Sequence, residues 1–348
     1  MCAESVKVNS DKLTQFVTTC FQKAGMPSGD AAIAASIVVA TDLRGIDSHG
    51  VARLNNYIKG LREGCIKPDP KTQVISKAPA TAVMDGDHGL GFIVGYRAMQ
   101  EAIHRAENTG AGFVTVRNSN HFGAGGNYSM MALAHDMIGI SMTAGAKGMA
   151  VPGSQGSGAG INVLSIAAPA NKETSFVLDM ATTVVAAGKI EIAVREGKSV
   201  PEGWAVNRQG KPLTDPKKFR EDGGSLLPLG GLTALGAYKG FGLTVAVDIL
   251  CSVLSGSVAN NATMGNHFFG ALRIDSFIPV DEFKKAMDEM YVSYRSLAKA
   301  EGVERITLAG EPERAIEKKR KAEGIPLNPA VVASLQGIAR DLGIEYGL

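Results

Sequence analysis

The chain has 348 residues, with 36 Lys and Arg against 34 Asp and Glu and a formal net charge of +2 at pH 7. Its 45% apolar and 20% charged content is that of a folded globular protein, and the length suggests two domains. Scattered, nearly balanced charge argues against nucleic acid, and the best apolar run, Ala31 to Ala40, is too short to span a bilayer.

The N-terminus has no basic region leading into an apolar core, so no secretory signal is expected. Cys2, Cys20, Cys65 and Cys251 lie far apart with no C-x-x-C pair. That pattern fits reduced thiols in a cytoplasmic protein and carries no zinc signature. The histidines show no ligand spacing, so no metal is expected.

In chain order, Ser10 is a good N-cap for a helix carrying Leu13, Phe16, Val17, Cys20 and Phe21 at helical spacing, ended by Gly25. A second helix is predicted from about Asp30 to Leu43. It delivers the chain to D-L-R-G-I-D-S-H-G-V-A-R-L-N-N-Y, Asp42 to Tyr57. If Gly50 opens a helix, then His49, Arg53 and Tyr57 fall at i, i+4 and i+8 on one face. That face combines an imidazole titrating near neutral pH, a guanidinium fork and a phenol. An imidazole shuttles a proton to a substrate oxygen, and a guanidinium grips a carboxylate through two parallel hydrogen bonds, which suits a small 2-hydroxy or 2-keto acid. The competing reading is a polar helix start with a satisfied core histidine.

Residues 57–62 continue helical to Gly64, and 67–70 form a proline-bounded turn. The first 75 residues therefore form a helical unit, on which the C-terminal helices of residues 281–348 are expected to pack. From there strand and helix alternate. Strands are predicted at 81–84, 112–117, 138–143, 164–169, 176–180 and 267–274, with helices at 92–108, 127–135, 181–194, 241–255 and 281–300. The 241–255 helix is apolar enough to be buried. Residues 201–224 form a polar surface excursion, Glu311-Pro312 a turn, and Asn328 caps a last helix. This order predicts an α/β domain over residues 76–280.

Several constellations could carry chemistry. Gly89, Gly91 and Gly95 follow a strand and open a helix like a dinucleotide phosphate turn, but the spacing is G-x-G-x-x-x-G and the next strand ends at Arg117-Asn118 without an acid. Gly197-Lys198-Ser199 is no P-loop, because position 192 is Ile, and no zinc-protease or α/β-hydrolase motif occurs. N-S-N-H-F-G-A-G-G-N-Y, Asn118 to Tyr128, places His121 at a strand's carboxyl end beside a glycine turn, a good ligand position or else a self-bonded polar loop. The stretch from Gly145 to Gly160, holding Lys147, is expected to be a long loop that approaches a cofactor or acts as a lid. P-L-G-G (228–231) and A-Y-K-G-F-G-L (237–243) put a lysine between glycines at a helix start.

These pieces resemble the type-2 malate/L-lactate dehydrogenases, a family that includes L-sulfolactate and ureidoglycolate dehydrogenases and piperideine-carboxylate reductase. The matching residues are R-G-I-D-S-H-G-V-A-R-L-N-N-Y (44–57), N-S-N-H-F-G (118–123), L-D-M-A-T-T (178–183) leading to G-K-I (188–190), P-L-G-G and Y-K-G-F-G-L. They run in family order across nearly the whole chain. The resemblance implies an α/β, non-Rossmann nicotinamide-binding fold with a mixed central sheet flanked by helices, which makes Gly89–Gly95 a supporting loop. It implies a homodimer using NAD or NADP on a small carboxylate substrate. It makes His49 the proton donor oriented by Ser48, and Arg53 the carboxylate grip, with His121 taking the acid/base role in some members. Cofactor contacts are expected at His121, Phe122, Gly123, Ala124 and Gly125, at Asp179, Met180 and Ala181, at Leu229 and Gly230, and at Gly310, Glu311 and Pro312. Tyr57, Lys147 and Ile161 join Arg53 toward the substrate. The family's G-T-N-P is G-I-N-V here, Gly160 to Val163, so Ile161 removes a hydroxyl from the pocket. The sequence reading is thus an oxidoreductase moving a hydride to or from C2 of a 2-hydroxy or 2-keto acid. Its alternatives are a cyclic 2-imino acid reductase and a non-catalytic dinucleotide-binding protein.

Overall fold

The computed structural model describes residues 5–257 and 265–348; Cys2 lies outside them. Strand β1 (Val6–Val8) leads into helices α1 (Ser10–Lys23), α2 (Ser28–Leu43) and α3 (Leu54–Arg62). Strands β2 (Gln73–Ala78) and β3 (Thr81–Asp85) form a hairpin, and α4 (Gly91–Thr109) crosses to β4 (Ala111–Ser119). A short α5 (Gly126–Ser129) precedes β5 (Met137–Ala144), β6 (Lys147–Ala150), β7 (Ser157–Gly160), β8 (Val163–Ala168) and β9 (Phe176–Ala181). There follow α6 (Ala187–Glu196), β10 (Ala205–Val206), α7 (Lys218–Glu221), β11 (Ser225–Leu226), α8 (Ala237–Asp248) and β12 (Gly265–Arg273). The chain closes with α9 (Val280–Arg295), α10 (Glu311–Glu323), β13 (Ile325–Leu327) and α11 (Pro329–Leu342).

The central sheet has seven strands in the order β2-β3-β4-β12-β5-β8-β9. Strands β3 and β4 run parallel, joined by α4 as a βαβ unit, while the other neighbours are antiparallel. This is a mixed sheet flanked by helices, unlike the parallel doubly wound sheet of a Rossmann domain. Strand β12 is buried continuously from Asn266 to Ala271, the pattern of a strand covered on both faces. Helix α4 lays Phe92, Ile93 and Met99 against Val114, Val116 and Phe269 of the sheet, and the same apolar core runs on to Leu13, Phe21 and Leu54. Each such side chain stabilises by about 1.5–3 kcal/mol when fully buried. Helix α10 packs on α2, and α11 packs on α1 and α3. Helix α9 instead caps the 171–173 turn, where the Asp288 carboxylate accepts the N–H groups of Asn171, Lys172 and Glu173. Among the described residues no helix is long and apolar enough to cross a membrane, Cys20 and Cys251 are buried thiols, and Cys65 is exposed.

Local readings differ from the structure at several places. The N-cap of α1 is Asn9, not Ser10: its side chain accepts from the N–H groups of Asp11 and Lys12. The glycine-rich stretch 145–160 is a hairpin, β6 against β7, because small residues allow the two strands to lie close, and β11 adds alongside β6. Helix α6 starts at Ala187 rather than 181, since residues 176–181 complete β9 against β8. Glu311-Pro312 is the first turn of α10, where proline's missing N–H costs nothing. The apolar helix expected to be buried is α8 with a π-helical turn at Ile249–Val253, and it shows two sides. Val247 and Cys251 pack on Phe268, while Leu243, Ile249, Val253 and Leu254 face outward.

Candidate functional site

The site begins where α2 ends. Asp42 is 2% exposed, and its Oδ2 accepts the Val51 N–H at 2.8 Å. Burial pushes its carboxyl up to about 8, against the lowering effect of that N–H. The carboxylate stands where a Cβ at residue 50 would go, so only glycine fits there. Gly50 is extended at ψ −142°, which breaks the helix that the spacing suggests. Residues Asp47–His49 and Val51–Arg53 form two separate 3-10 turns before α3 begins. Arg320 of α10 braces the turn from outside, donating to the Asp42 carbonyl and pairing with Asp47. Gly50→Ala should therefore displace this turn and destabilise the protein by about 1–3 kcal/mol, the usual cost of overpacking. Thermal unfolding checks this, and a melting temperature and kcat equal to the parent's would contradict it.

The residues expected on one helix face still meet, through a different geometry. Ser48 Oγ lies 2.8 Å from His49 Nδ1. Arg53 Nε donates to the Ser48 carbonyl at 2.7 Å, and among the described residues its two terminal nitrogens have no partner. The His49 and His121 rings lie nearly parallel, 5.6 Å apart at 24°, and Tyr57 lies nearly parallel to His121 at 5.9 Å. Tyr57 is 4% exposed, and its hydroxyl sits 2.9 Å from His121 Nδ1. The two histidines that compete for one role are thus neighbours in one cluster.

His121 is held by the loop that follows β4. Asn120 Nδ2 donates to the His88 and Gly89 carbonyls, so the Gly89 turn supports this loop. Gly91, the first residue of α4, lies where a Cβ would overlap the His121 carbonyl. Behind the loop, His267 is fully buried with its ring flat on Phe122, 4.7 Å away at 5°. Its Nε2 meets Ser119 Oγ at 3.0 Å and its Nδ1 meets Thr143 Oγ1 at 2.8 Å. Tyr128 donates its hydroxyl to the Phe122 carbonyl at 2.6 Å.

Three further segments expected at a cofactor gather on β9. Asp179 Oδ2 accepts the Gly126 N–H at 2.7 Å, tying the glycine loop His121–Gly125 to this strand. Burial raises the Asp179 carboxyl to about 6. Just beyond Met180 and Ala181, the Thr182 carbonyl accepts the Leu229 N–H, with Gly230 next in the chain at φ +94°. The Val177 N–H donates to the Ala309 carbonyl, which sets Gly310 and the head of α10 beside β9. The Glu311 carboxylate is bonded to Arg295, Arg305 and the Leu308 N–H, and Pro312 follows it in the first turn. Helix α6 begins without a side-chain cap or an acidic first turn, and a Cβ at Gly188 would stand 3.8 Å from that of Ser48. Lys147 is exposed and Ile161 is half-buried, packed with Val185, Ile190 and Leu226 near α6.

Electrostatics favour neutral imidazoles here. Burial, then the Arg53 charge, pulls His49 down to about 4, so it does not titrate near neutral pH as its type alone suggests. His121 is exposed as a residue, yet desolvation of its ring and then the charges of Arg53 and His49 lower it to about 3. Burial raises the Tyr57 phenol, which stays protonated. Among the described residues no three His, Cys, Asp or Glu side chains are grouped to hold a metal ion.

Sequence reasoning missed Asp42 and His267. Asp42 sits nine residues before its partner Val51, outside any helical pairing rule. His267 reads as one polar residue in an apolar strand, and no local pattern separates it from a surface histidine.

The family profile described as malate/L-lactate dehydrogenase matches residues 8–336. A malate dehydrogenase of Pyrococcus horikoshii is 43% identical over 98% of this chain and 96% of its own length. An L-sulfolactate dehydrogenase of Methanocaldococcus jannaschii is 39% identical, covering 95% and 96%. The crystal structure of malate dehydrogenase from Entamoeba histolytica matches with a TM-score of 0.95 at 31% identity, covering 99% of this chain and 100% of that one.

Proposed function

Because the chain belongs to the malate/L-lactate dehydrogenase family and is a dehydrogenase of that type, we propose that it exchanges a hydride between NAD or NADP and C2 of a small 2-hydroxy or 2-keto acid. The observation that carries this reading is the cluster of Ser48, His49, Arg53 and His121, with a proton carrier beside an open guanidinium fork. Arg53 keeps its terminal nitrogens for the C1 carboxylate, while its Nε holds the Ser48 carbonyl. Ser48 orients His49 through Nδ1, and Nε2 of His49 has no partner among the described residues. On reduction His49 gives its proton to the C2 oxygen; on oxidation it takes that proton. Malate and sulfolactate, named for the relatives, each carry a second acidic group, so a dianionic acid is the leading substrate class.

The dinucleotide fits the loops on β9. Residues 121–125, 179–181, 229–230 and 310–312 come together around one strand, with glycines at 123, 125, 230 and 310, and the uncapped amides at the head of α6 suit phosphate oxygens. When bound, the nicotinamide supplies or takes the hydride at C2. Steady-state oxidation of NADH and NADPH against a panel of 2-keto acids and cyclic 2-imino acids tests the reading. Oxaloacetate or a close dianionic analogue should give the highest kcat/KM; preference for a cyclic imino acid, or no turnover, would contradict it.

The protein acts as a homodimer in the cytoplasm on this reading. Leu235, Tyr238, Ile249, Val253 and Leu254, each at least half exposed, line one stretch along α8 and its flanks, an apolar surface that a second copy would cover. Light scattering should give about twice the 36.3 kDa chain mass at micromolar concentration, and a mass near one chain would count against the dimer.

A further inference from the structure

We propose that Tyr57 is a positioning residue that locks His121 as a neutral imidazole with its proton on Nε2, so that His121 acts as a fixed hydrogen-bond donor and His49 alone carries the reaction's proton. The inference rests on the reading of this cluster as a dehydrogenase site. Two donors converge on one nitrogen: the Tyr57 hydroxyl at 2.9 Å and the Gly123 N–H at 3.3 Å, both at His121 Nδ1. A backbone N–H can only donate, so a proton on Nδ1 would face it head-on. Nδ1 must therefore present its lone pair, the tyrosine hydroxyl donates into it, and the neutral ring carries its proton on Nε2. Tyr57 is fixed for this task. It is 4% exposed, and its ring meets Phe92 edge-on at 5.0 Å and 75°.

The contrast with His49 divides the labour. The partner of His49 Nδ1 is the Ser48 hydroxyl, which can donate or accept, so His49 keeps this bond whether its ring is neutral or charged. His121 would lose the Gly123 bond on gaining a charge. With the rings 5.6 Å apart and Arg53 close by, a second imidazolium would add repulsion as well. A neutral imidazole can still polarise a carbonyl by donating from Nε2.

The test is ring-15N NMR of histidine-labelled full-length protein, with steady-state kinetics of Tyr57→Phe. In the parent protein, His121 should show a bare Nδ1 and a protonated Nε2 at neutral pH. Tyr57→Phe keeps the buried ring and removes the hydroxyl, leaving only the longer Gly123 bond. We expect both tautomers to appear, kcat to fall about tenfold with KM for the keto acid within twofold, and an added acid limb from a ring that can now be protonated. A proton on Nδ1 in the parent protein overturns the proposal, and so does a variant with unchanged tautomer and kcat. Should the variant not fold, the parent spectrum decides by itself. The spectrum also stands apart from turnover, so absence of dehydrogenase activity would sink the functional reading and leave the tautomer measured.

Discussion

His49→Ala should lower kcat by about 10²–10⁴-fold, the usual contribution of a positioned acid or base. Nicotinamide binding, followed by fluorescence quenching, should stay near the parent value, because His49 lies against the His121 ring but, among the described residues, its ring bonds only Ser48 and no backbone of the loops on β9. His121→Ala should instead weaken cofactor binding as well as turnover, since His121 heads the glycine loop tied to Asp179. The pH profile has a definite sign. Burial and Arg53 hold His49 at about 4 in the free protein, so its ring is neutral at pH 7. For oxidation the neutral ring is the required base, and kcat/KM should rise as pH climbs through that value and then level off. For reduction the protonated ring is required, and kcat/KM should fall through the same range. A carboxylate docked on Arg53 offsets the guanidinium charge, so the limb in kcat for reduction should lie higher, toward the ordinary histidine range. These limbs should vanish in His49→Ala. If they persist there and vanish in His121→Ala, the roles of the two histidines are reversed.

The second large effect is expected at Arg53. Arg53→Lys keeps the charge but loses the planar fork, and it also loses the Nε–H that holds the Ser48 carbonyl. A charge-assisted bond in a closed site is worth about 1.5–3 kcal/mol, so kcat/KM for the best 2-keto acid should fall roughly tenfold to a hundredfold. Part of the loss should appear in kcat, because Ser48 orients His49. If the variant stays within twofold, the carboxylate is held elsewhere. Arg44 is a poor substitute, being 7% exposed and 3.6 Å from Glu317.

Much of the scaffold is legible in the sequence because it follows local periodicity. The unit from Thr81 to Arg117 alternates as a strand, repeats alanines along a helix and alternates again, and it folds as β3–α4–β4. The motifs around His49 and His121 stand out because they join reactive side chains to glycines. Their geometry was not legible. The spacing of His49, Arg53 and Tyr57 suggests one helix, but the buried Asp42 carboxylate takes the Val51 N–H and fills the space beside Gly50, so the chain forms two tight turns. Tyr57 looked free to meet the substrate, and only the fold shows its hydroxyl on His121. The 145–160 stretch looked like a loop because glycine carries no strand preference; its pairing comes from the neighbours, β6 with β7 and β11. Apolarity alone likewise could not tell that α8 buries one side and exposes the other.

Hydride transfer at C2 is the claim on which the rest depends, and isotope transfer tests it most directly. The protein would be incubated with nicotinamide cofactor deuterated at the transferable C4 position and with the best 2-keto acid in ordinary water. The product should be the 2-hydroxy acid with one deuterium at C2, and its hydroxyl proton should come from solvent by way of His49. A 2-hydroxy acid with no deuterium at C2, or deuterium lost to water during turnover, would contradict the account.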